Sequence, residues 1–484
     1  MSVKKQASPL VKRFESYGME FVFDAHTNRI FRLAAAEASA FDVWAAGARL
    51  SDVARRYPSE AAMIRRSVAR GLFSRRRPDG LSFGGGLRAV ASDVRSRRTL
   101  TILEITQRCN LRCGYCTFGG GFSDHRKLNG RMMSSAVLMA AIDDAVRCAT
   151  GLEELSIGFY GGEPLAAFPL IISAVRYARQ QAGDKKIRFS LTTNATLLDR
   201  TKAEFLRDNE FSVLVSVDGP RVMHDRYRIY PGGRGSFGDT MRGLKVLLAA
   251  YGEPLRGKIG LNMVLPSRQW GDHVWKLWRE TPWLPKDLRA RAGLVDAPDG
   301  MPPPPPSPPV AYGKTIKGAW VQSVENNSSE YHPLSSEIYD MRLSKIHQRE
   351  IHRGPRDSFY PNGCCVPGAR RVYVRADGTY QVCERAHGTP TIGSVRTGVD
   401  IGRVLNLVRE YAERSISDCK DCWAVPLCSL CFHQGYKCAR FNITRKRALC
   451  EGERDGLLRQ LRLYAWVLEK HPERVALWEK ILIT

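Results

Sequence analysis

The chain has 484 residues, of which 43% are hydrophobic, and it carries a formal net charge of +25. This length and composition predict two or three domains with real cores and exclude an intrinsically disordered chain. No apolar run approaches the ~18 residues of a membrane span, and the first residues lack the apolar region of a secretory signal. The thirteen cysteines therefore predict reduced metal ligands in the cytoplasm rather than disulfides.

The positive charge has one structural and two functional interpretations. An Arg-rich surface explains it without a partner, whereas an acidic peptide or a nucleic acid would be a functional partner. Two arginine groups flank a Gly-rich connector at 79–87 and are as consistent with a solvated linker as with a binding patch; they are Arg75, Arg76 and Arg77, and Arg95, Arg97 and Arg98. The sequence has no basic run with interleaved aromatic residues, so nucleic acid is the weaker alternative. No membrane partner is expected.

Residues 1–85 contain a predicted β-hairpin followed by three short helices. The stretch MEFVFDAHTNRIFRLA alternates apolar residues around a turn at Thr27 and Asn28, which is typical of a hairpin. The segments AAEASAFDVWAAG, LSDVARRYP and SEAAMIRRSVARGLF predict the helices. A hairpin with three helices indicates a small winged-helix-like module.

Residues 98–290 alternate strand and helix signals. Strands are predicted at 100–106, 155–160, 187–193, 213–217 and 259–264, with helices between them, such as 135–149 and 170–181. Strands separated by helices favour βα units and a parallel sheet, and therefore an α/β fold. Cys148, in the first of these helices, is predicted to be a buried core residue.

Three cysteines, Cys109, Cys113 and Cys116, follow the first predicted strand in the stretch CNLRCGYC. A structural zinc site prefers four Cys or His ligands, whereas three thiolates on an iron–sulfur cube leave one iron free for another ligand. The C-x3-C-x-aromatic-C pattern, with Tyr115 as the aromatic residue, resembles that of radical S-adenosylmethionine (SAM) enzymes. The resemblance implies a [4Fe-4S] cluster on these thiolates, SAM on the fourth iron, and a 5′-deoxyadenosyl radical that abstracts a hydrogen atom from the substrate.

Four further motifs end predicted strands or follow them, where ligands of α/β folds bind. YGGEP is similar to the family's GGE motif, whose backbone and acid hold the SAM amino group. TTNA resembles a TNG-like turn, although Ala195 replaces the glycine, while SVDGP and HDRYR resemble the serine contact and the arginine partner of the SAM carboxylate. The residues that the resemblance implies in SAM binding are Tyr115, Gly161, Gly162, Glu163, Asn194, Ser216 and Arg228. It also implies a partial (β/α)6 TIM-like barrel over 98–290.

The segment 291–355 is predicted to bridge this barrel and the C-terminal region, and it contains a Pro-rich loop at 302–309. Proline lacks the backbone donor of a helix or a central strand, so this loop is predicted at the surface. No general base could be assigned among the acidic residues and tyrosines of 284–360, and no catalytic residue is predicted.

Residues 356–484 carry nine of the thirteen cysteines, a predicted hairpin around Asp377 and Gly378, and a final amphipathic helix in DGLLRQLRLYAWVLEKH. Paired CxxC motifs by themselves are also typical of zinc ribbons. The C-x2-C-x5-C-x2-C run in CKDCWAVPLCSLC resembles the SPASM domain, which adds two auxiliary [4Fe-4S] clusters to radical SAM enzymes, although its last spacing is usually C-x3-C.

The SPASM resemblance implies two ligand sets. One cluster takes Cys419, Cys422, Cys428 and Cys450. The other takes Cys365, Cys383 and Cys431, with Cys364 as a candidate fourth ligand that adjacent-residue geometry disfavours. Cys438 has no certain place, although it could substitute for Cys450.

The N-terminal residues 15–72 resemble the RiPP recognition element, a PqqD-like module that captures leader peptides by adding a strand to a sheet edge. The segment YPNGCCVPGARRVYVRADGTYQVCERA looks like its counterpart in thioether-forming maturases of the SCIFF and ranthipeptide group. These resemblances imply a radical SAM enzyme that installs a Cys-sulfur-to-carbon thioether in a ribosomal precursor peptide, with flavodoxin or ferredoxin as electron donor.

Three alternatives stay open. The enzyme could form a carbon–carbon or carbon–oxygen crosslink in a precursor peptide. It could instead perform sulfatase-type maturation of a protein, which needs no leader-binding module. From a different class, the chain could be an RNA-modifying or nucleic-acid-binding iron–sulfur protein. The expected domains are a leader-binding module at 1–85, the radical SAM core at 98–290, the bridging region at 291–355 and a SPASM domain at 356–484.

Overall fold

The computed structural model describes residues 7–82, 86–119, 128–295, 315–328, 334–360 and 365–481, with the backbone alone for residues 86, 87, 268 and 269. The predicted Pro-rich loop at 302–309 and Cys364 therefore lie outside the described residues.

The described residues form seventeen strands and fifteen α-helices. The strands are β1 Val11–Ser16, β2 Met19–Asp24, β3 Arg29–Leu33, β4 Gly80–Leu81, β5 Leu100–Thr106, β6 Glu154–Gly161, β7 Lys186–Thr193, β8 Ser212–Ser216, β9 Ile259–Leu265, β10 Arg289–Leu294, β11 Ser358–Phe359, β12 Arg371–Val374, β13 Thr379–Gln381, β14 Gly393–Ser394, β15 Gly398–Val399, β16 Tyr436–Lys437 and β17 Arg440–Phe441. The helices are α1 Ala35–Ala45, α2 Leu50–Arg56, α3 Pro58–Ala69, α4 Gly86–Ser96, α5 Ser135–Arg147, α6 Phe168–Ala182, α7 Arg200–Asp208, α8 Arg221–Tyr227, α9 Phe237–Leu255, α10 Trp275–Arg279, α11 Ile316–Glu325, α12 Met341–His347, α13 Ile401–Cys419, α14 Ile443–Lys470 and α15 Val475–Glu479.

A ten-stranded sheet organises the molecule in the order β10-β9-β8-β7-β6-β5-β12-β13-β14-β15. All strand pairs from β10 to β12 are parallel. This pairing confirms the predicted α/β fold with a parallel sheet. The apolar strands, such as LTILEIT, are buried, as is typical of parallel sheets. Strand β10 was not predicted, since RARAGL has arginines at alternate positions and little apolar character.

The predicted hairpin around Asp377 and Gly378 is present as the antiparallel pair β12–β13. Its first strand also pairs in parallel with β5, with Arg371 opposite Leu100. The central sheet therefore runs from the predicted barrel into the C-terminal region without a break. Nothing local in RVYV indicates this partner, which is 270 residues earlier in the chain and is chosen by tertiary packing.

The N-terminal residues form a three-stranded antiparallel sheet, β1-β2-β3, followed by α1, α2 and α3. The predicted hairpin is β2–β3, with Asn28 in the left-handed region at φ 58°. The three predicted helices are present. The first strand was missed, because VKRFES is half polar and only partly buried.

This N-terminal sheet has two packed faces. Val22 and Leu33 join Phe41 in a small separate core against the helices. On the opposite face, Phe21 and Phe23 belong to the main core of the molecule. The N-terminal sheet is therefore continuous with the rest of the packing, and it is not a unit joined by a flexible linker alone.

Most of the arginines around the Gly-rich connector have protein partners. The Arg75 guanidinium lies 4.7 Å from the Trp44 ring centroid. Arg76 and Arg77 pair with Asp357 and Asp421, and Arg98 forms a buried ion pair with Asp144 at 2.6 Å. Arg76 and Arg77 therefore attach the N-terminal region to the C-terminal one, and these four arginines are engaged in contacts within the protein.

The segment between β10 and β11 packs through a buried carboxylate. Asp340 is fully buried and accepts hydrogen bonds from the indole nitrogens of Trp320 and Trp478 at 3.2 and 3.0 Å, and from Arg474 at 3.1 Å. These bonds join α11 and α12 to α15. Across the described ranges, no helix is long and apolar enough to cross a membrane.

Candidate metal and cofactor site

The three cysteines of CNLRCGYC lie on one loop at the carboxyl end of β5. The loop, residues 107–119, is held by backbone hydrogen bonds from Arg112 to Ile229 at 2.6 Å, from Gly114 to Tyr227 at 2.9 Å and from Cys116 to Cys113 at 3.0 Å. We call it the triad loop. Burial, reinforced by the charge of Glu163, raises the pKa of Cys109 to about 12. Burial raises the pKa of Cys113 to about 11.

A metal ligand must be the thiolate, so these thiols ionise at neutral pH only when a cationic partner such as iron binds them. The donor set therefore fits a cluster with one iron free of protein.

Gly161 and Gly162 let the end of β6 approach the triad loop. A Cβ at Gly161 would lie 2.3 Å from the carbonyl oxygen of Thr106, and one at Gly162 would lie 2.0 Å from that of Arg108. The backbone nitrogens of Gly162 and Glu163 donate to these same two carbonyls at 2.8 and 2.7 Å. Any side chain at either position would separate YGGEP from the thiols.

The carboxylate of Glu163 is committed to contacts within the protein. One oxygen accepts hydrogen bonds from the Thr193 hydroxyl at 2.7 Å and the Leu165 nitrogen at 3.1 Å, and the other accepts from the Asn194 nitrogen at 2.8 Å. The side chain is 1% exposed, and burial raises its pKa. Glu163 thus joins the ends of β6 and β7, a role that the motif did not predict.

Asn194 lies at the end of β7 and reaches the triad loop. Its amide nitrogen donates to the Asn110 oxygen at 2.9 Å, and Asn110 donates to the Thr196 hydroxyl at 2.7 Å. Ala195, at the position where the family often has glycine, adopts φ 59°. Its carbonyl lies so close to α9 that a Cβ at Gly243 would be 1.9 Å away. The turn is thus fixed by packing despite the alanine.

Tyr115 and Arg228 form a buried polar group with Asp218. Arg228 donates to the Tyr115 hydroxyl at 2.8 Å, and that hydroxyl donates to Asp218. Asp218 also accepts from the Val264 nitrogen at 3.0 Å, which anchors the group to β9. Arg228 is 8% exposed, and its Nε has no hydrogen-bond partner among the described residues. A buried guanidinium with a free donor fits an anionic group such as a carboxylate.

The sequence did not predict a role for Asp218 or for the residues that hold it in place. Its backbone nitrogen faces His224 Nδ1 at 3.4 Å, and His224 Nε2 lies 3.0 Å from the Ser236 hydroxyl, which donates to the Arg228 carbonyl at 2.7 Å. The available signal was the position of Asp218 directly after β8, within SVDGP. Ser216 ends β8 and is 7% exposed, opposite Asn262 of β9.

Four C-terminal thiols gather between α13 and α14. Cys419 ends α13 and Cys450 lies in α14, where Lys446 donates to the Cys419 sulfur at 3.1 Å. Burial raises the pKa of Cys419, with smaller contributions from the nearby Cys422 and Cys450. Burial also raises the pKa of Cys428, with Cys419 and Cys422 again contributing. The structure thus brings together the four cysteines that were assigned to one cluster.

The structure brings together two of the three cysteines predicted to hold the second cluster. Burial and the charge of Glu384, with a smaller contribution from Cys365, raise the pKa of Cys383 to about 12, so the two thiols lie near each other. Cys431 begins a short 3₁₀ turn that leads to β16. Cys438 is exposed in the β16–β17 turn. Cys148 is buried, as predicted.

In the part of the chain that the structure describes, no three Cys, His, Asp or Glu side chains stand as ligands of a single metal ion. The thiolates of a cube bind different irons, so they lie farther apart than the ligands of one ion.

The two cysteine regions touch through aromatic contacts. The His387 ring, four residues after Cys383, lies 4.8 Å from the Phe118 ring of the triad loop and 6.2 Å from Tyr373 of β12. The loop after Cys383 therefore lies against the loop that carries Cys116.

Comparisons with known proteins agree with this geometry. Residues 103–272 match the sequence profile of the Radical SAM superfamily. A serine-type anaerobic sulfatase-maturating enzyme of Bacteroides thetaiotaomicron is 33% identical over 29% of this chain and 34% of its own length. A cysteine-type anaerobic sulfatase-maturating enzyme of Clostridium novyi is 27% identical over 31% of this chain and 40% of its own. The chain therefore spans less than half the length of these curated relatives.

Solved structures show the same fold. The structure of native anSMEcpe with bound AdoMet superposes with a TM-score of 0.55 at 21% identity, covering 79% of this chain and 100% of the other. The same protein with AdoMet and a Kp18Cys peptide gives a TM-score of 0.53 at 20% identity, covering 79% and 99%. The triad loop and the strand ends around it lie within residues 103–272, the segment that matches the Radical SAM superfamily, whose members use SAM and a [4Fe-4S] cluster.

Proposed function

We propose that the chain is a radical SAM maturase of a peptide substrate. The observation that carries this proposal is the juxtaposition of the three triad-loop thiols with Tyr115 and the buried Arg228, whose Nε is unpartnered in the described structure. When bound, the cluster and SAM supply the radical that removes a hydrogen atom from the substrate.

Each site residue has a proposed role. Cys109, Cys113 and Cys116 hold the cluster, and the free donor of Arg228 pairs with the SAM carboxylate. The carboxylate of Glu163 already accepts three hydrogen bonds within the protein. The backbone of Gly161 and Gly162 is therefore proposed to bind the SAM amino group, and Glu163 is proposed to hold this backbone in position.

Three further roles complete the SAM site. Ser216 and Asn194 line it from the ends of β8 and β7, and Tyr115 holds Arg228 in place.

The C-terminal thiols are proposed to hold two auxiliary [4Fe-4S] clusters. One takes Cys419, Cys422, Cys428 and Cys450, and its support is their proximity around Lys446. The other takes Cys365, Cys383 and Cys431. The contact between His387 and Phe118 brings this second set close to the radical site, which suits a cluster that accepts an electron from the substrate.

The first candidate reaction is thioether formation in a ribosomal precursor peptide. A core carbon would lose a hydrogen atom to the radical, a cysteine thiol would lose a proton, and the carbon–sulfur bond would form with the release of one electron, which a cluster on Cys365, Cys383 and Cys431 would be able to accept. The substrate thus loses two hydrogens in all. Flavodoxin or ferredoxin is the proposed donor of the electron that starts each turnover.

The N-terminal sheet is the proposed leader-binding site, and its third strand is the available edge. Strand β1 lies against α14, where the Ser16 hydroxyl donates to the Arg462 carbonyl at 2.7 Å and Tyr17 stacks on Trp466 at 5.2 Å. Strand β3 pairs with β2 alone among the described strands. An extended leader can therefore add to β3 through main-chain hydrogen bonds.

Sulfatase-type maturation is the second candidate, and the named relatives favour it. That reaction requires no leader, so the N-terminal sheet would then only complete the fold. Its packing on the main core through Phe21 and Phe23 is compatible with this alternative.

The experiment that separates the candidates is mass spectrometry of three substrates after anaerobic incubation with SAM and dithionite. They are a short Cys-containing precursor encoded beside this chain, its core without the leader, and a sulfatase-derived peptide. Loss of two hydrogens and one free thiol from the full precursor alone supports leader-dependent thioether formation. Modification of the sulfatase peptide at the higher rate supports the second candidate. No modification of any substrate, together with no SAM cleavage, contradicts the proposed function.

Deleting the N-terminal region is a poor substitute for the leaderless peptide, because it would expose Phe21 and Phe23 of the main core.

A further inference from the structure

A cavity of about 970 Å³ lies beside the sheet edge. Its walls come from the carboxyl ends of β9 and β10, from α11 and α12, from α14, and from the β1–β2 turn. Apolar side chains form much of the lining, including Leu265, Ile316, Tyr339 and Leu463. This volume is at the upper end of the range of ligand sites and can hold several residues of an extended peptide.

The cavity is lined both by the N-terminal sheet and by strand β9, which also borders the cofactor site. At one end, Tyr17 of the β1–β2 turn lines it. At the other end, the lining residue Leu265 directly follows Val264, whose backbone nitrogen donates to Asp218 at 3.0 Å. Asp218 in turn accepts from Tyr115 of the triad loop. The cavity thus lies between the turn that follows β1 and the strand whose backbone anchors Asp218.

Four cations in the cavity lining have no side-chain partner among the described residues. Lys317, Arg342, Arg459 and Arg462 are exposed, and their side chains form no hydrogen bond or ion pair within the described structure. The two carboxylates of the lining are already engaged, because Glu15 accepts from the Gly18 nitrogen and Asp272 from the Ile316 nitrogen, both at 2.7 Å. The cavity is therefore positively charged and suits an anionic ligand.

The cavity is also bordered by a sheet edge. Strand β10 pairs with β9 and with no other described strand, and its residue Leu294 is 50% exposed. A Cβ built at Gly293 meets no atom within 4 Å. An extended chain can approach this backbone closely and add main-chain hydrogen bonds.

We propose that this cavity binds an extended acidic segment of the peptide substrate, between the part held by the N-terminal sheet and the residue that is modified. The inference rests on the proposed peptide-maturase function and names the chemistry of its substrate. The carboxylates of the segment pair with Arg342, Arg459, Arg462 and Lys317, and its apolar side chains face Leu265 and Tyr339.

A charge reversal tests the electrostatic part. The probe is a synthetic peptide of about twelve residues that alternates Glu with Val, with a Lys–Val peptide as its counterpart. Calorimetric titration against the full-length, cluster-loaded chain is expected to give a Kd that rises about tenfold or more in Arg459→Glu. Arg176→Glu is the matched control, because Arg176 is also exposed, mid-helix and unpartnered, but lies on α6 outside the cavity.

We expect Arg176→Glu to change the Kd by less than about twofold. Equal weakening in both variants would mean that only net charge attracts the probe and would overturn the inference. So would equal binding of the Lys–Val peptide.

A steric variant tests the same site without a charge change. Gly293→Leu places a side chain in the cavity without a clash at its Cβ. We expect it to weaken binding of the Glu–Val peptide about tenfold. Gly257→Leu is the control, since its Cβ also meets nothing within 4 Å but lies at the amino end of β9. Unchanged binding in Gly293→Leu, with the unfolding temperature of the parent, would exclude a peptide from this cavity.

SAM cleavage and probe binding by the parent chain distinguish failure of the cavity inference from failure of the proposed function. If it cleaves SAM but binds the probe no better than the Arg459→Glu and Gly293→Leu variants do, the cavity inference fails and the proposed function stands. If the parent cleaves no SAM, the proposed function fails whatever the probe does.

Discussion

The triad loop and the C-terminal cysteines place their thiols by different physical means. Cys109, Cys113 and Cys116 belong to one eight-residue stretch, and backbone hydrogen bonds to the end of α8 and the residues after it fix the loop. The thiols around Lys446 come instead from α13, a loop and α14, and helix packing brings them together. A short-range motif therefore specifies the first site almost completely, whereas the second depends on the fold around it.

The largest expected effect tests the independence of the triad loop. Cys109→Ala, Cys113→Ala and Cys116→Ala should each abolish SAM cleavage, because the cluster needs all three thiolates to keep one iron open. The measurement is 5′-deoxyadenosine formed under dithionite. Cys148→Ala is the control, since Cys148 is a buried thiol at the end of α5 and should leave cleavage intact. A triad variant that still forms 5′-deoxyadenosine would remove the basis of the proposed function.

The next effect concerns the buried polar group that faces the triad. Arg228→Lys should weaken SAM binding about 10- to 100-fold, because lysine cannot reproduce a planar fork that contacts Tyr115 and a carboxylate together. Equilibrium binding of SAM to the reconstituted chain measures this, and the iron content should stay unchanged. Arg226→Lys, two residues earlier and exposed, should bind like the parent. Equal SAM affinity in Arg228→Lys and the parent would mean that the SAM carboxylate does not bind to Arg228.

Loss of a C-terminal cysteine should remove one auxiliary cluster and leave the cluster of the triad loop in place. Reconstitution of the parent should give about twelve irons, and Cys422→Ser about eight, because one four-iron cluster is lost. SAM cleavage without substrate should persist in this variant, since the triad loop is untouched. Cys438→Ser should keep the full iron content, because Cys438 lies in the exposed β16–β17 turn and is assigned to neither proposed cluster. About four irons with bound zinc in the parent would mean that the C-terminal thiols form a zinc site.

The same contrast explains which parts of the structure could be predicted from sequence. Strands β5 to β9 were predicted within one or two residues, because apolar, β-branched runs between helices leave few alternatives. Strand β10 was missed because RARAGL is rich in arginine, and the parallel pairing of β12 with β5 was missed because the two strands are far apart in sequence.

The motifs predict which residues gather at the strand ends, but not the hydrogen bonds between them. The resemblance of YGGEP implies a Glu163 contact to SAM, and the structure adds what the motif did not indicate, hydrogen bonds from Thr193, Leu165 and Asn194 to the same carboxylate. Asp218 was missed although it lies inside a quoted motif. A motif identifies residues that gather at a strand end, whereas the tertiary structure determines which groups form hydrogen bonds with each polar atom.

The last expected effect is on stability alone, and it concerns the contact that joins the two regions. Asp144 of α5 pairs with Arg98 at 2.6 Å and accepts from the Tyr380 hydroxyl of β13 at 2.8 Å. Burial acts to raise the pKa of Asp144, but Arg98, Tyr380 and Arg147 together hold it below 3.8. Because the folded pKa lies below the unfolded one, the ionised carboxylate stabilises the fold above the unfolded pKa. That stabilisation is lost as the pH falls through the folded pKa.

Asp144→Asn should therefore lower the free energy of unfolding by about 3–5 kcal/mol at pH 7, since it leaves the Arg98 charge buried and unpaired. Urea unfolding of the cluster-loaded chain measures this loss. The difference from the parent should narrow below pH 3.8, and the iron-free chain is used there because acid protonates the thiolate ligands. Asp143→Asn, whose exposed carboxylate accepts a hydrogen bond from Tyr177 at 2.9 Å, should cost less than about 1 kcal/mol. If the two variants unfold alike at pH 7, Asp144 does not couple α5 to the C-terminal strands, and other contacts, such as the pairing of β12 with β5 and the contact of His387 with Phe118, hold the two cysteine regions together.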